Sequence, residues 1–416
     1  MGLIRLADGL APEGRFHRQQ LISWWDQARL ERARVLVIGA GALGNEILKN
    51  LALVGVGSVV VADMDRVEHS NLARSVLFRE ADVGRPKAEA AARGARELYP
   101  SMRVRPFVGN VVYDLGAGVF AWAQAVVCGL DNREARVAVN RTCQLLGRPW
   151  IDGAIERLDG VMRVFLPGAG ACYECTMSAT DWQMLEARRS CALLSRGEIE
   201  AGHTPTTATP SSIVAGFQCQ ELLKLLHGQE LAGGTGVVIN GQTTDVYPVR
   251  YPRKPDCLAH ERLERVVELE SSSRDVTLGE LLARARQDLG PGATLELSRE
   301  VLHGLECPGC GRRDEVFKSL GQVTEAGAHC PSCQSDRVPH LLHAISGGEA
   351  FLGRTPAELG LPLFDLLVAR RDLDAVGYLL AGDRQEALGE LAVDRVPASP
   401  EPGTRAATRS SEEETT

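Results

Sequence analysis

One stretch, Val35 to Asp65, constrains this chain more than any other. Val35–Ile38 is a short apolar run, the pattern of a strand buried on both faces. Gly39, Gly41 and Gly44 follow as G-x-G-x-x-G, and Asn45–Leu53 has helical periodicity. Val59–Ala62 is a second buried strand, closed by Asp63. A strand–helix–strand unit with glycines at its first turn aims a helix N-terminus at a phosphate. An acid after the second strand suits a ribose hydroxyl. The glycines alone allow NAD, FAD or ATP.

The order of elements after this unit predicts the fold class. Pro100–Val111, Ala125–Cys128, Pro149–Ile151 and Gly160–Phe165 read as strands, and Glu80–Leu98 and Asn132–Leu146 as helices. This alternation predicts an α/β domain, a doubly wound and mostly parallel sheet with helices on both faces. Residues 1–34 form an N-terminal arm whose amphipathic segment, LISWWDQARLERA, reads as a helix. The α/β domain is expected over 35–265, with a polar crossover loop at 176–210 before an apolar helix, Ile213–Leu226. A length of 416 residues leaves room for two or three domains.

Polar residues collect at the predicted strand ends. Asp63, Asn71, Arg74, Lys87 and Asp131 all follow carboxyl ends, where open α/β sheets bind ligands. Two cations and two acids suit nucleoside triphosphate chemistry, because Arg and Lys offset phosphate charge and Asp holds Mg²⁺. A hydride-transfer enzyme needs few cations. A net charge of −8 argues against broad nucleic-acid binding. No run of 18 apolar residues and no apolar signal core occurs, so a cytoplasmic protein without membrane association is expected.

Six motifs in order now make a family resemblance: RFHRQ (15–19), GAGALG (39–44), DMD (63–65), SNLAR (70–74), GRPK (84–87) and DNREAR (131–136). The chain resembles the ThiF/MoeB/HesA and ubiquitin-activating enzyme superfamily over residues 15 to about 260. The wording around the glycines and CYEC is closer to the eukaryotic-type activators. The resemblance implies a Rossmann-like adenylation domain that binds ATP through Gly39, Gly41, Gly44, Asp63 and Asp65. It further implies that Asp63 binds ribose, that Asn71, Arg74 and Lys87 hold the triphosphate, and that Asp131 places Mg²⁺. Arg18 would reach the terminal phosphate, from the other subunit of a homodimer. Ala42 stands where many family members have glycine and its methyl narrows the loop slightly, while Ala73 and Ser75 replace a frequent Asn and Gln and bear only on peripheral contacts.

Cysteines supply the remaining chemistry. Six of the eleven lie in three C-x-x-C pairs, which suit metal in a reducing compartment better than disulfides. Cys172 and Cys175 with Cys257 and His260 make two half-sites for one structural Zn²⁺ of Cys₃His type. In the family a cysteine usually stands where His260 stands, so His260 is either its replacement or a surface histidine. Cys307, Cys310, Cys330 and Cys333 form a Cys₄ zinc ribbon. Cys128, Cys143 and Cys219 fall in apolar elements and read as core thiols. Cys191 sits in the polar loop directly after Arg188, Arg189 and Ser190, and neighbouring cations lower a thiol's pKa. In thioester-forming relatives the catalytic cysteine lies in this interval. Cys191 is either that nucleophile or an inert loop residue. Thr204, Thr206, Thr207 and Thr209 are expected to cap the helix that follows.

The C-terminal third reads as a linker (Glu268–Asp275) and a small α+β zinc-ribbon domain at 276–396. A capping box at Thr277/Glu280 starts a helix over Leu278–Leu289. A short strand at Thr294–Leu297, a helix starting near Thr355–Glu358 and a partly helical Leu363–Leu380 follow. Residues 397–416 have no apolar content and are expected to be disordered.

The expected function is ATP-dependent adenylation of the C-terminal glycine of a ubiquitin-like protein, then thioester formation on Cys191 for a conjugating enzyme. Two alternatives stand beside it. One is adenylation of a sulfur-carrier protein with a Gly-Gly tail and no enzyme thioester. The other is a non-enzymatic zinc-bearing adaptor.

Overall fold

The computed structural model describes residues 14–190, 205–323 and 327–393. Cys191, Thr204 and the 397–416 tail lie outside the described residues. The larger sheet has eight strands in the order β3-β2-β1-β4-β5-β6-β7-β8. These are β1 Arg34–Ile38, β2 Ser58–Asp63, β3 Arg103–Val108, β4 Ala125–Cys128, β5 Trp150–Glu156, β6 Asp159–Phe165, β7 Thr235–Asn240 and β8 Asp245–Arg250. β1 to β5 run parallel and β6 to β8 antiparallel, so the sheet is mostly parallel with an antiparallel flank.

Eleven helices accompany the strands among the described residues: α1 His17–Gln20, α2 Gln27–Glu31, α3 Ala42–Val54, α4 Lys87–Leu98, α5 Ala117–Trp122, α6 Arg133–Leu145, α7 Tyr173–Thr176, α8 Ala179–Ser190, α9 Ala208–Leu226, α10 Leu278–Leu289 and α11 Arg384–Leu388. Strand alternation sorts β1 between two cores. Val35 and Val37 face Ile47, Leu51, Ala91 and Leu222 from α3, α4 and α9. Leu36 and Ile38 face Phe120, Val139 and Cys143 from α5 and α6. Each buried aliphatic side chain contributes about 1.5–3 kcal/mol. Such two-sided burial is why the strand is apolar throughout rather than alternating.

The second sheet joins six strands: β9 Val266–Leu269, β10 Thr294–Glu306, β11 Arg313–Ser319, β12 Val338–Ile345, β13 Leu366–Arg371 and β14 Asp374–Leu380. Its Leu366, Val368 and Leu379, with Phe364 just before β13, belong to the same core as α5 and α6, so one hydrophobic layer joins the two sheets.

Several sequence expectations change here. The expected linker begins as β9, which pairs in parallel with β14. Leu363–Leu380 holds a β-hairpin, β13–β14, in place of partial helix. An apolar run of this length fits either state, and pairing with β10 decides it. The strand expected at Thr294–Leu297 continues for 13 residues, since β10 has partners along both halves. Near Thr355 only a 3₁₀ turn forms, Ala357–Leu359, closed by Gly360 at φ +79°. The helix expected over Glu80–Leu98 is a 3₁₀ turn at Glu80–Asp82 and then α4. Gly84 at φ +86° and Pro86 separate them. The arm forms two short helices, and the polar crossover segment contains α8. The capping box on α10 forms as expected, Thr277 Oγ1 accepting from Glu280 N at 3.2 Å.

Candidate functional site

A cleft of about 2580 Å³ opens at the carboxyl ends of β1, β2 and β4 and runs to the second sheet. Gly39, Gly41, Asp63, Asp65, Asn71, Arg74, Lys87 and Asp131 all line it. The three glycines divide their work. A Cβ on Gly44 would lie 1.8 Å from Gly39 O, and one on Gly39 would lie 2.5 Å from Gly129 O. Gly39 also needs its φ of +91°. These two glycines let β1, α3 and the turn after β4 close on one another. A Cβ on Gly41 would meet nothing within 4 Å. Gly41 is the N-cap of α3 and makes no side-chain cap, so the helix start faces the cleft.

Around this turn the polar groups are held by short contacts. The Asp63 carboxylate accepts from Ala40 N at 2.6 Å and from Asp65 N at 2.8 Å. Burial holds its pKa above the usual aspartate value, while those N–H groups and the Lys87 charge pull it back. Lys87 opens α4 and places Nζ 2.8 Å from Asp65 Oδ2. Asn71 is buried, its Oδ1 accepting from Glu68 N at 2.9 Å. Arg74 Nη1 donates to Ser70 O at 2.8 Å. Asp131 is exposed at the start of the turn into α6, which Asn132 caps through Ala135 N at 2.8 Å. The set can take an anion at the helix start, a hydroxyl at Asp63 and a cation at Asp131.

Two sulfur clusters stand outside the turn. Sγ of Cys172 lies 3.8 Å from that of Cys175 and 3.7 Å from that of Cys257, and His260 Nε2 lies 3.1 Å from Cys175 Sγ. Tetrahedral zinc with bonds of about 2.3 Å has sulfur–sulfur edges of about 3.8 Å. Burial keeps the His260 pKa low, favouring the neutral imidazole that binds metal. Cys307, Cys310, Cys330 and Cys333 gather likewise where β10 turns to β11 and before β12, with sulfur pairs at 3.3 and 3.7 Å. Both donor sets fit a zinc ion.

The ThiF family model matches residues 16–259. The chain belongs to the ThiF family. Among this ThiF-family chain's relatives is the Nedd8-activating enzyme E1 catalytic subunit of Drosophila melanogaster, 42% identical over 159 residues. That alignment covers 35% of each, so the chain spans about a third of that relative's length. The SAMP-activating enzyme E1 of Haloferax volcanii is 33% identical over 259 residues, covering 61% of this chain and 84% of that one. The sulfur carrier protein adenylyltransferase of Thermus thermophilus is 41% identical over 169 residues, covering 39% and 62%. The crystal structure of E. coli MccB with ATP shares the fold at a TM-score of 0.51 and 22% identity, covering 61% of this chain and 75% of that one. The ThiF match ends one residue short of His260, and the second sheet lies outside it.

Two expected site residues stand apart from the cleft. Arg18 is on α1, which with the turn before it packs on the far ends of α3 and α4: Arg15 Nη2, in that turn, donates to Leu98 O at 2.7 Å and Gln19 Nε2, on α1, to Leu53 O at 3.3 Å. About 20 Å of helix therefore separates it from its own chain's glycine turn. Gly44 packs but does not line the cleft. Thr207 is the N-cap of α9, yet its Oγ1 meets Thr209 Oγ1 at 2.9 Å and makes no cap. Cys128, Cys143 and Cys219 are buried as expected, and burial raises all three thiols, Cys219 to about 12.

Sequence reading missed Asp152. It is fully buried between Arg136 Nε at 3.0 Å and Arg163 Nη2 at 2.5 Å. Its place directly after the Pro149–Ile151 run expected as a strand was the available signal, and in the structure it lies level with Cys128 at the carboxyl end of β4.

Proposed function

We propose that this protein uses Mg-ATP to adenylate the C-terminal carboxylate of a small carrier protein of the ubiquitin-like or sulfur-carrier kind. The carrying observation is that Gly41, Asp63, Arg74, Lys87 and Asp131 surround one cleft in a ThiF-family chain. The carrier's carboxylate oxygen attacks the α-phosphorus, the bond to the β-phosphate oxygen breaks, and pyrophosphate leaves. The product is an acyl-adenylate, a mixed anhydride. Arg74 and Lys87 offset charge on the phosphates, and Asp63 accepts from a ribose hydroxyl. Mg²⁺, held by Asp131, would neutralise phosphate charge. Arg18 acts on the cleft of a second copy, a role favoured by its distance from its own. On this reading the working parts are an arm (1–34), an adenylation domain (35–265) and a zinc-ribbon domain (276–396), with both Cys clusters holding structural zinc.

We further propose that Cys191 takes the acyl group as a thioester: its thiolate attacks the anhydride carbonyl and AMP leaves. The acyl group then passes to a conjugating enzyme. Supporting this, seven cysteines lie in the clusters and Cys128, Cys143 and Cys219 are buried. Cys191 alone remains for chemistry.

The test is carrier-dependent ATP–pyrophosphate exchange with a Gly-Gly-tailed protein. Exchange in the wild type, lost in a folded Asp131→Ala variant, supports adenylation; its absence supports an adaptor. A reductant-sensitive adduct on a non-reducing gel, absent in Cys191→Ser, supports the thioester. Exchange without any adduct favours the sulfur-carrier route.

A further inference from the structure

We propose that Asp152 is a positioning residue for this reaction: it holds Arg136, and Arg136 holds the turn that carries Asp131. The inference rests on the nucleotide reading given above. Asp152 pairs in register with Cys128, the last residue of β4, so it lies where the chain turns toward Asp131. Its Oδ1 accepts from Arg136 Nε at 3.0 Å. Arg136 then reaches back from the first turns of α6. Nη2 donates to Leu130 O at 2.5 Å and Gly153 O at 3.1 Å, and Nη1 to Asn132 O at 3.5 Å. The carbonyls on both sides of Asp131 therefore hang on one guanidinium.

A merely stabilising role explains this arrangement poorly. A buried ion pair adds little over an apolar pair of equal size, because two charges must be desolvated. Here a second guanidinium, Arg163, also binds Asp152, so the cluster carries surplus positive charge. What the Asp152–Arg136 pair supplies is orientation. The planar fork of Arg136 serves three carbonyls and a carboxylate at once, which an ammonium cannot do. An exposed Asp131 has few contacts of its own; among those seen is Asn132 Nδ2 at 3.2 Å from Oδ1. Its carboxylate is placed by its backbone, and its backbone by Arg136.

The experiment measures metal-dependent binding of an α,β-methylene ATP analogue with Mn²⁺ as the probe. Bound Mn²⁺ is read by electron paramagnetic resonance on the full chain. Asp152→Asn and Arg136→Lys should each raise the Mn²⁺ midpoint by about 10–100-fold, the usual consequence of losing an outer partner of a metal ligand. Saturating Mn²⁺ should restore analogue binding to within about threefold, a recovery that general misfolding would not allow. Arg163→Gln, which leaves the Asp152–Arg136 contact, should keep the wild-type midpoint. A wild-type midpoint in folded Asp152→Asn and Arg136→Lys overturns the proposal. If Asp152→Asn does not fold, Arg136→Lys decides alone. A wild type that binds no analogue instead overturns the nucleotide reading, and this proposal with it.

Discussion

Replacing Gly41 by alanine separates what the glycine turn does for the fold from what it does for a ligand. A Cβ here enters open space, and the φ of −73° is one that alanine adopts. Alanine also restricts the unfolded chain, so stability should change by less than about 1 kcal/mol. The ligand meets the methyl directly. Take the helix start as about +0.5 charge and a phosphate as about −2, pushed from about 4 to about 5.5 Å at an effective dielectric of about 20; the loss is about 1 kcal/mol. One weakened charge-assisted hydrogen bond adds about 1.5 kcal/mol. Affinity for an ATP analogue should therefore fall about 70-fold, with an unchanged melting temperature. Gly44→Ala is the contrasting variant. Its Cβ would lie 1.8 Å from a backbone carbonyl, so it should lose stability. Calorimetric titration with thermal melting reads both. If Gly41→Ala binds the analogue within threefold of wild type, the turn does not cradle phosphate and the reasoning fails.

Four further outcomes are expected. Asn45, fully buried, donates to Ala40 O at 2.7 Å and Gly41 O at 3.0 Å and accepts from Leu77 N at 2.9 Å; Asn45→Ala should cost about 2–4 kcal/mol in urea unfolding. The Arg93 guanidinium holds the Asp82 carboxyl below its usual value of 3.8, so its stabilisation is full above pH 3.8 and fades as pH falls through the lower folded-state value. The stability gap between wild type and Asp82→Asn should thus be flat from pH 7 to 5 and close in acid, a trend that melting curves will reveal or refute. Metal analysis should find two zinc ions per chain, and Cys307→Ser should lose one with a lowered melting temperature. Under the first cluster the apolar packing is slight, centred on Ala171 and Ala259, so metal removal there should loosen the Cys257–His260 segment in hydrogen exchange.

The sequence by itself determined the local units. The buried runs of β1, β2 and β4, the glycines at the first turn and the Thr277/Glu280 box are short-range patterns, and each fixes its element through sterics or neighbouring hydrogen bonds. The gathering of Asp63, Asn71, Arg74, Lys87 and Asp131 was legible for the same reason: parallel strands put their carboxyl ends at one edge. Tertiary structure decided the rest. Leu363–Leu380 became a hairpin only because β10 offers it a pairing edge. Arg18 sits a helix length from its own cleft because α1 packs at the far ends of α3 and α4. Gly41 and Gly44 look alike in the motif, yet one faces open space and the other a carbonyl. Asp152 carries no motif at all; its partners are 16 and 11 residues away in sequence, and only strand register and the turn of α6 bring two guanidiniums onto it. Contacts of that kind are non-local, so no local pattern encodes them.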